Sequence, residues 1–114
     1  MPTVLAPSDV TVVAKLFRGL ADPTRLGLLL TLLEGEHRVV DLVERVKCSQ
    51  ANVSGHLSCL KECGLVADRP EGRAVYYRIA SEQVVAVLQA AEMLLADTGE
   101  AIEVCGNYRS GDGR

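Results

Sequence analysis

Ser49-Gln-Ala-Asn-Val-Ser-Gly-His-Leu-Ser-Cys-Leu60, following Val39-Val-Asp-Leu-Val-Glu-Arg-Val46 after a break at Lys47 and Cys48, decides the fold. Val39, Val40, Leu42, Val43 and Val46 recur at helical spacing, and so do Val53, Leu57 and Leu60. Ser49 suits the N-cap of the second helix, because its hydroxyl can accept a backbone N–H left unpaired in the first turn. Cys48 stands just before it, placed to pack on Val53 as a hydrophobic staple, a structural role to which a fourth-ligand or redox role is the alternative. Gly64 ends the helix. Two short helices joined by a tight break, the second with small polar residues outside, form a helix-turn-helix pattern.

Upstream, Val10, Val13, Ala14 and Phe17 repeat at helical spacing, with Leu16 and Leu20 widening the apolar face. Asp22 and Pro23 then open another helix, the carboxylate as cap and the proline at the first helical position; it runs to about Leu33 and stops at Gly35. Downstream, Leu65 to Arg69 and Arg73 to Ile79 predict two strands around Pro70, Glu71 and Gly72, a wing with basic residues at its tip. Ser81 caps a last helix with Val84, Val87, Leu88, Ala91, Leu94 and Leu95 on one face, ending near Gly99. The expected fold is mainly α with a small β-hairpin: a winged helix-turn-helix dimerising through its first and last helices. Residues 1–9 read as a flexible N-terminus, 10–97 as the DNA-binding and dimerisation domain, and 98–114 as a C-terminal tail, disordered from Asn107 on.

With 114 residues, a DNA-reading unit, a sensor and a dimer surface must share one core, leaving no room for a catalytic domain. One Phe, three Tyr and no Trp make that core aliphatic. An enzyme is disfavoured: there is no Cys-x-x-Cys, no Gly-rich phosphate loop and no His pair. The apolar run Leu26 to Leu33 is too short for a bilayer, and residues 1–10 lack a secretory layout, so a cytoplasmic address is expected. The net charge of -3 hides a split. From Lys15 to Arg78 ten Lys or Arg face eight Asp or Glu, whereas Ser81 to Cys105 holds five acids and no Lys or Arg. The middle is thus free to touch DNA while the C-terminal part faces elsewhere.

Four cysteines, Cys48, Cys59, Cys63 and Cys105, in a reducing compartment point to metal or redox chemistry rather than disulfides. Cys59 and Cys63 stand four apart on one helix, which stacks them on one face within reach of a single ion. Two thiolates do not complete a shell, and Cys105 in an otherwise solvated tail is the third candidate. Soft thiolates without His favour cadmium, lead, arsenite or mercury, with zinc and copper(I) left open. The structural alternative is that Cys59 and Cys63 are small buried apolar side chains. For DNA, the N-terminal half of the reading helix offers Ser49, Gln50, Asn52, Ser54 and His56, the last equally suited to a core-edge hydrogen bond. Lys47, Lys61, Arg69 and Arg73 are candidate phosphate partners.

Leu20-Ala-Asp-Pro-Thr-Arg-Leu26, Ser49-Gln-Ala-Asn-Val-Ser-Gly-His-Leu57, Gly64-Leu-Val66 and Glu71-Gly-Arg73, taken in order, resemble the ArsR/SmtB family of metal-responsive repressors over roughly residues 10 to 97. The resemblance implies a winged-helix homodimer that binds operator DNA when metal-free and is released by metal. The family's third-helix site needs a Cys-x-Cys element where this chain has Val39-Val-Asp-Leu-Val43, and its last-helix zinc site needs His ligands that this chain lacks there. Cys59, Cys63 and Cys105 are instead similar to the set of the family's cadmium- and lead-sensing branch, in which the tail cysteine comes from the other subunit. Two other readings remain at this point: a thiol redox-sensing repressor of the same fold, and a winged-helix protein-interaction module.

Overall fold

Asp22 begins the element on which the helix-turn-helix is built. The computed structural model describes residues 7–104, with side chains for residues 9–99. In it the Asp22 carboxylate accepts the Arg25 backbone N–H at 2.9 Å, with Pro23 at the start of the helix. That bond, opposed by partial burial and helped by His56 and Arg25, holds the Asp22 carboxyl below the usual carboxylate range. A carboxyl lowered in the folded state stabilises the protein above its unfolded value, about 3.9, and this stability is lost as pH falls through the folded value. Asp22→Ala is therefore expected to cost about 1 kcal/mol at neutral pH in urea unfolding, the gap from the parent closing in acid. A gap that persisted unchanged in acid would place the effect elsewhere.

The order is α1 (Pro7–Leu20), α2 (Pro23–Leu32), β1 (His37–Arg38), α3 (Val39–Val46), α4 (Gln50–Glu62), β2 (Val66–Glu71), β3 (Ala74–Ile79) and α5 (Glu82–Val104). The chain forms two compact units, one through Ser81 and one from Glu82 onward. In the first, Leu28, Leu29 and Leu32 of α2, Leu42 of α3, Val53, Leu57 and Leu60 of α4 and Val66 of β2 are buried. The periodic positions of α4 and Leu42 thus fall inside as their spacing requires. Thr31, the one buried polar residue among the described residues, donates its hydroxyl to the Gly27 carbonyl at 2.9 Å.

Between α3 and α4 the chain turns on Lys47, whose φ of 58° and ψ of 46° are left-handed. It alone among the described non-glycine residues has positive φ, a conformation that costs a residue with a β-carbon roughly 1–2 kcal/mol. Cys48 is half-buried in this turn, its sulfur 3.7 Å from both the Thr24 hydroxyl and the Val46 carbonyl, so its thiol ties the turn to α2.

The sheet has three antiparallel strands in the order β1-β3-β2. Two details depart from the sequence reading. His37–Arg38 forms a strand, pairing His37 with Tyr77 and Arg38 with Tyr76, although two residues carry no alternation to betray it. The wing turn is also shorter than Pro70 to Gly72: β2 continues through Pro70 and Glu71, which pair with Val75 and Ala74. Proline is tolerated there because β2 is an edge strand, where a missing N–H breaks no ladder. Gly72, at φ 63°, then takes the first place of a two-residue turn with Arg73, where hairpins favour glycine.

The second unit, α5, runs to Val104, past its expected end near Gly99. Glycine within a helix costs about 1 kcal/mol, and good helix formers such as Ala96, Glu100 and Ala101 carry the element across it. Met93, Leu94 and Leu95 of α5 are exposed, as are Val10, Val12, Leu16 and Phe17 of α1. No helix among the described residues is long and apolar enough to cross a membrane. Cys105 and the tail from Asn107 to Arg114 lie outside the described residues.

Candidate DNA-reading face and thiol pair

Ser49 caps α4 through its side chain, accepting the Asn52 N–H at 3.1 Å. With Val53, Leu57 and Leu60 anchored inside, Ser49, Gln50, Asn52 and Ser54 are left exposed at the N-terminal half of the helix. Beyond its chain neighbours and the local helix backbone, a methyl group at Gly55 would meet nothing within 4 Å, so packing does not require glycine there. What glycine supplies is room for another surface to approach the backbone.

His56 is turned inward. Its Nδ1 lies 3.5 Å from Arg25 Nη1 and its Nε2 3.8 Å from Asp22 Oδ2, with only 20% of the side chain exposed. Arg25 also donates its Nε–H to the Gly19 carbonyl at 2.7 Å. This group joins the end of α1, the start of α2 and the middle of α4. Sequence spacing gave no sign of it, since Arg25 and His56 are 31 residues apart.

The four candidate phosphate partners divide. Lys47 at the turn and Arg73 at the wing tip are exposed and make no side-chain hydrogen bond or ion pair among the described residues. Lys61 pairs with Asp68 at 3.0 Å, which raises its pKa, mainly through that hydrogen bond. Arg69 pairs with Glu36 at 2.8 Å and with Glu71, and lies 5.0 Å over the Tyr76 ring. A groove of about 440 Å³ beside the wing is lined by Arg38, Val39, Val40, Arg73, Ala74 and Val75.

Cys59 and Cys63 are both exposed, which removes the reading of them as buried packing residues. Cys63 is the C-cap of α4, its backbone N–H donating to the Cys59 carbonyl at 3.0 Å. Partial desolvation first, then the adjacent Cys59 sulfur and its hydrogen bond, push the Cys63 thiol up, while Arg25 pulls it slightly down. The two thiols therefore sense each other across one helical turn. Among the described residues no third His, Cys, Asp or Glu joins them in a metal-holding group.

A reading helix with an exposed polar N-terminal half, held by a helix-turn-helix and flanked by a three-stranded wing, defines a winged-helix DNA-binding regulator. Residues 22–68 match the bacterial regulatory protein, arsR family. The chain is 42% identical over 92 residues to a probable mercury resistance operon repressor of Streptomyces lividans, covering 81% of this chain and 74% of that one. It is 38% identical over 107 residues to the transcriptional regulator CmtR of Mycobacterium tuberculosis, covering 82% and 91%. A homodimeric winged helix-turn-helix DNA-binding domain from Mycobacterium bovis superposes with a TM-score of 0.68 at 32% identity, covering 86% of this chain and 92% of that one. The chain belongs to the ArsR family of bacterial transcriptional regulators.

Proposed function

We propose that this chain is a homodimeric repressor that binds operator DNA when metal-free and lets go when a soft metal ion is held by Cys59, Cys63 and Cys105. The observation that carries the reading is the exposed thiol pair one turn apart at the end of the DNA-reading helix. The names of relatives, one of them a mercury resistance operon repressor, support a metal inducer. Cadmium or lead suits the all-sulfur set, with arsenite, mercury and zinc as the alternatives. Thiols must lose their protons to bind as thiolates, so metal uptake releases protons and strengthens as pH rises. The exposed apolar residues of α1 and α5 are the proposed dimer surface, and the homodimeric structural relative supports it. No catalytic role is proposed.

On the DNA, Gln50, Asn52 and Ser54 present polar groups to base edges and Ser49 holds the helix start, while Lys47 and Arg73 meet phosphates. His56 acts from behind, setting the helix on α2. Coupling is direct because the metal ligands stand on the reading helix: drawing Cys59 and Cys63 toward a third thiolate reorients that helix.

Mobility shifts on promoter DNA under strong reductant, with cadmium, lead, arsenite, mercury or zinc added singly, test this reading. Release by at least one ion supports it; release only after oxidation, with no response to any ion, assigns the thiols to redox sensing instead. In the same assay Arg73→Ala is expected to weaken all sequences alike and lower the salt slope by about one, whereas Gln50→Ala shifts sequence preference. A Gln50→Ala protein with unchanged affinity and preference would move the reading face elsewhere.

A further inference from the structure

Arg69 is the most heavily engaged cation of the described residues. Its Nε–H donates to both Glu36 oxygens, at 3.1 and 2.9 Å, its Nη2–H to Glu36 at 2.8 Å, and its Nη1–H to Glu71. Glu36 lies in the loop before β1, Arg69 and Glu71 lie on β2, and Tyr76, beneath the guanidinium, is the β3 partner of Arg69 in the register. One side chain thus spans the sheet from its β2 edge, over β3, to the loop that enters β1. Arg78 also faces Glu36, so two cations meet two carboxylates and the cluster offers a phosphate no net attraction. A phosphate would have to displace a forked carboxylate already matched to the guanidinium plane.

We propose that Arg69 is a positioning residue for DNA binding: it braces the hairpin to the Glu36 loop so that Arg73, beyond Glu71 in the turn, meets the phosphate, and it makes no phosphate contact itself. This rests on the reading of the wing as a DNA-backbone contact.

The full-length protein is titrated against a labelled duplex spanning the promoter of its own gene and a mixed-sequence duplex of equal length, over a range of salt. Arg69→Gln, Arg69→Lys and Glu36→Gln are each expected to lose affinity, roughly three- to thirtyfold, with the salt slope of the parent. The Arg69→Gln, Glu36→Gln double variant should lose no more than either single one, because both break the same brace. Glu44→Gln, which removes an exposed carboxylate outside the cluster, controls for net charge. Thermal melts identify any variant that has unfolded, and Arg69→Lys, which keeps the charge but not the fork, then decides. Its binding like the parent, a slope lowered by about one in Arg69→Gln, or tighter binding by Glu36→Gln than by Glu44→Gln would each make Arg69 a direct phosphate ligand and overturn the proposal. Failure of the parent to bind either duplex would remove the DNA reading beneath it.

Discussion

Cys59→Ser and Cys63→Ser, made singly, are expected to abolish both the ultraviolet thiolate-to-metal charge-transfer band and metal-driven release from DNA, with metal-free DNA affinity kept. The physical reason is ligand count. A three-thiolate site that loses one sulfur keeps a pair with no third soft donor among the described residues, and serine oxygen is a poor substitute for a soft ion. The coupling between metal and DNA, typically about 1–3 kcal/mol in such systems, should vanish with the site. Cys48→Ser should leave both signals in place, since the Cys48 sulfur is turned to Thr24 and the Val46 carbonyl. A Cys48→Ser protein blind to metal would make that residue a ligand.

The same logic reaches Cys105 through mixed dimers. A protomer with Cys59→Ser and Cys63→Ser, paired with a Cys105→Ser protomer, holds one complete ligand set only when the tail of one chain serves the helix of the other. A restored response at up to half the normal metal content supports sharing between subunits; no restored site in verified heterodimers rejects it.

Leu57→Ala is expected to be the most damaging single change in the reading helix, at about 2–5 kcal/mol, because the side chain is fully buried and its removal leaves a cavity. That is a large part of the total stability of about 5–15 kcal/mol usual for a domain. Leu57→Met, which keeps volume, should cost less than about 1.5 kcal/mol. Urea unfolding of the two variants checks the pair of values, and equal losses would show that cavity formation is not the cause. DNA binding by Leu57→Ala should fall in proportion to the unfolded fraction.

Much of the helix-turn-helix was legible because its signals are local. A cap such as Asp22 or Ser49 acts within three residues, and the stripe of Val53, Leu57 and Leu60 follows from helix geometry alone. The wing was legible as a hairpin but not in register, because whether Pro70 can stay in a strand depends on β2 having no neighbour on its outer side. β1 was invisible, since two residues become a strand only when β3 is there to pair with them. The candidate site divides along the same line. The Cys59 and Cys63 spacing shows in the chain, whereas the engagement of Lys61 by Asp68 and of Arg69 by Glu36 and Glu71 depends on side chains brought together by folding. Charge type can be read from a sequence; whether a charge is already satisfied cannot.

Placing Cys63 at the C-cap of α4 also bears on how its thiol meets oxidants. The carbonyl end of a helix carries partial negative charge, which disfavours a bare thiolate and welcomes a cation. The thiolate is the form that attacks peroxide and other electrophiles, so a thiol whose pKa is pushed up reacts more slowly. The same placement keeps the Cys63 thiol chemically quiet and, on the proposed reading, makes a positive ion the partner that draws it into its deprotonated form.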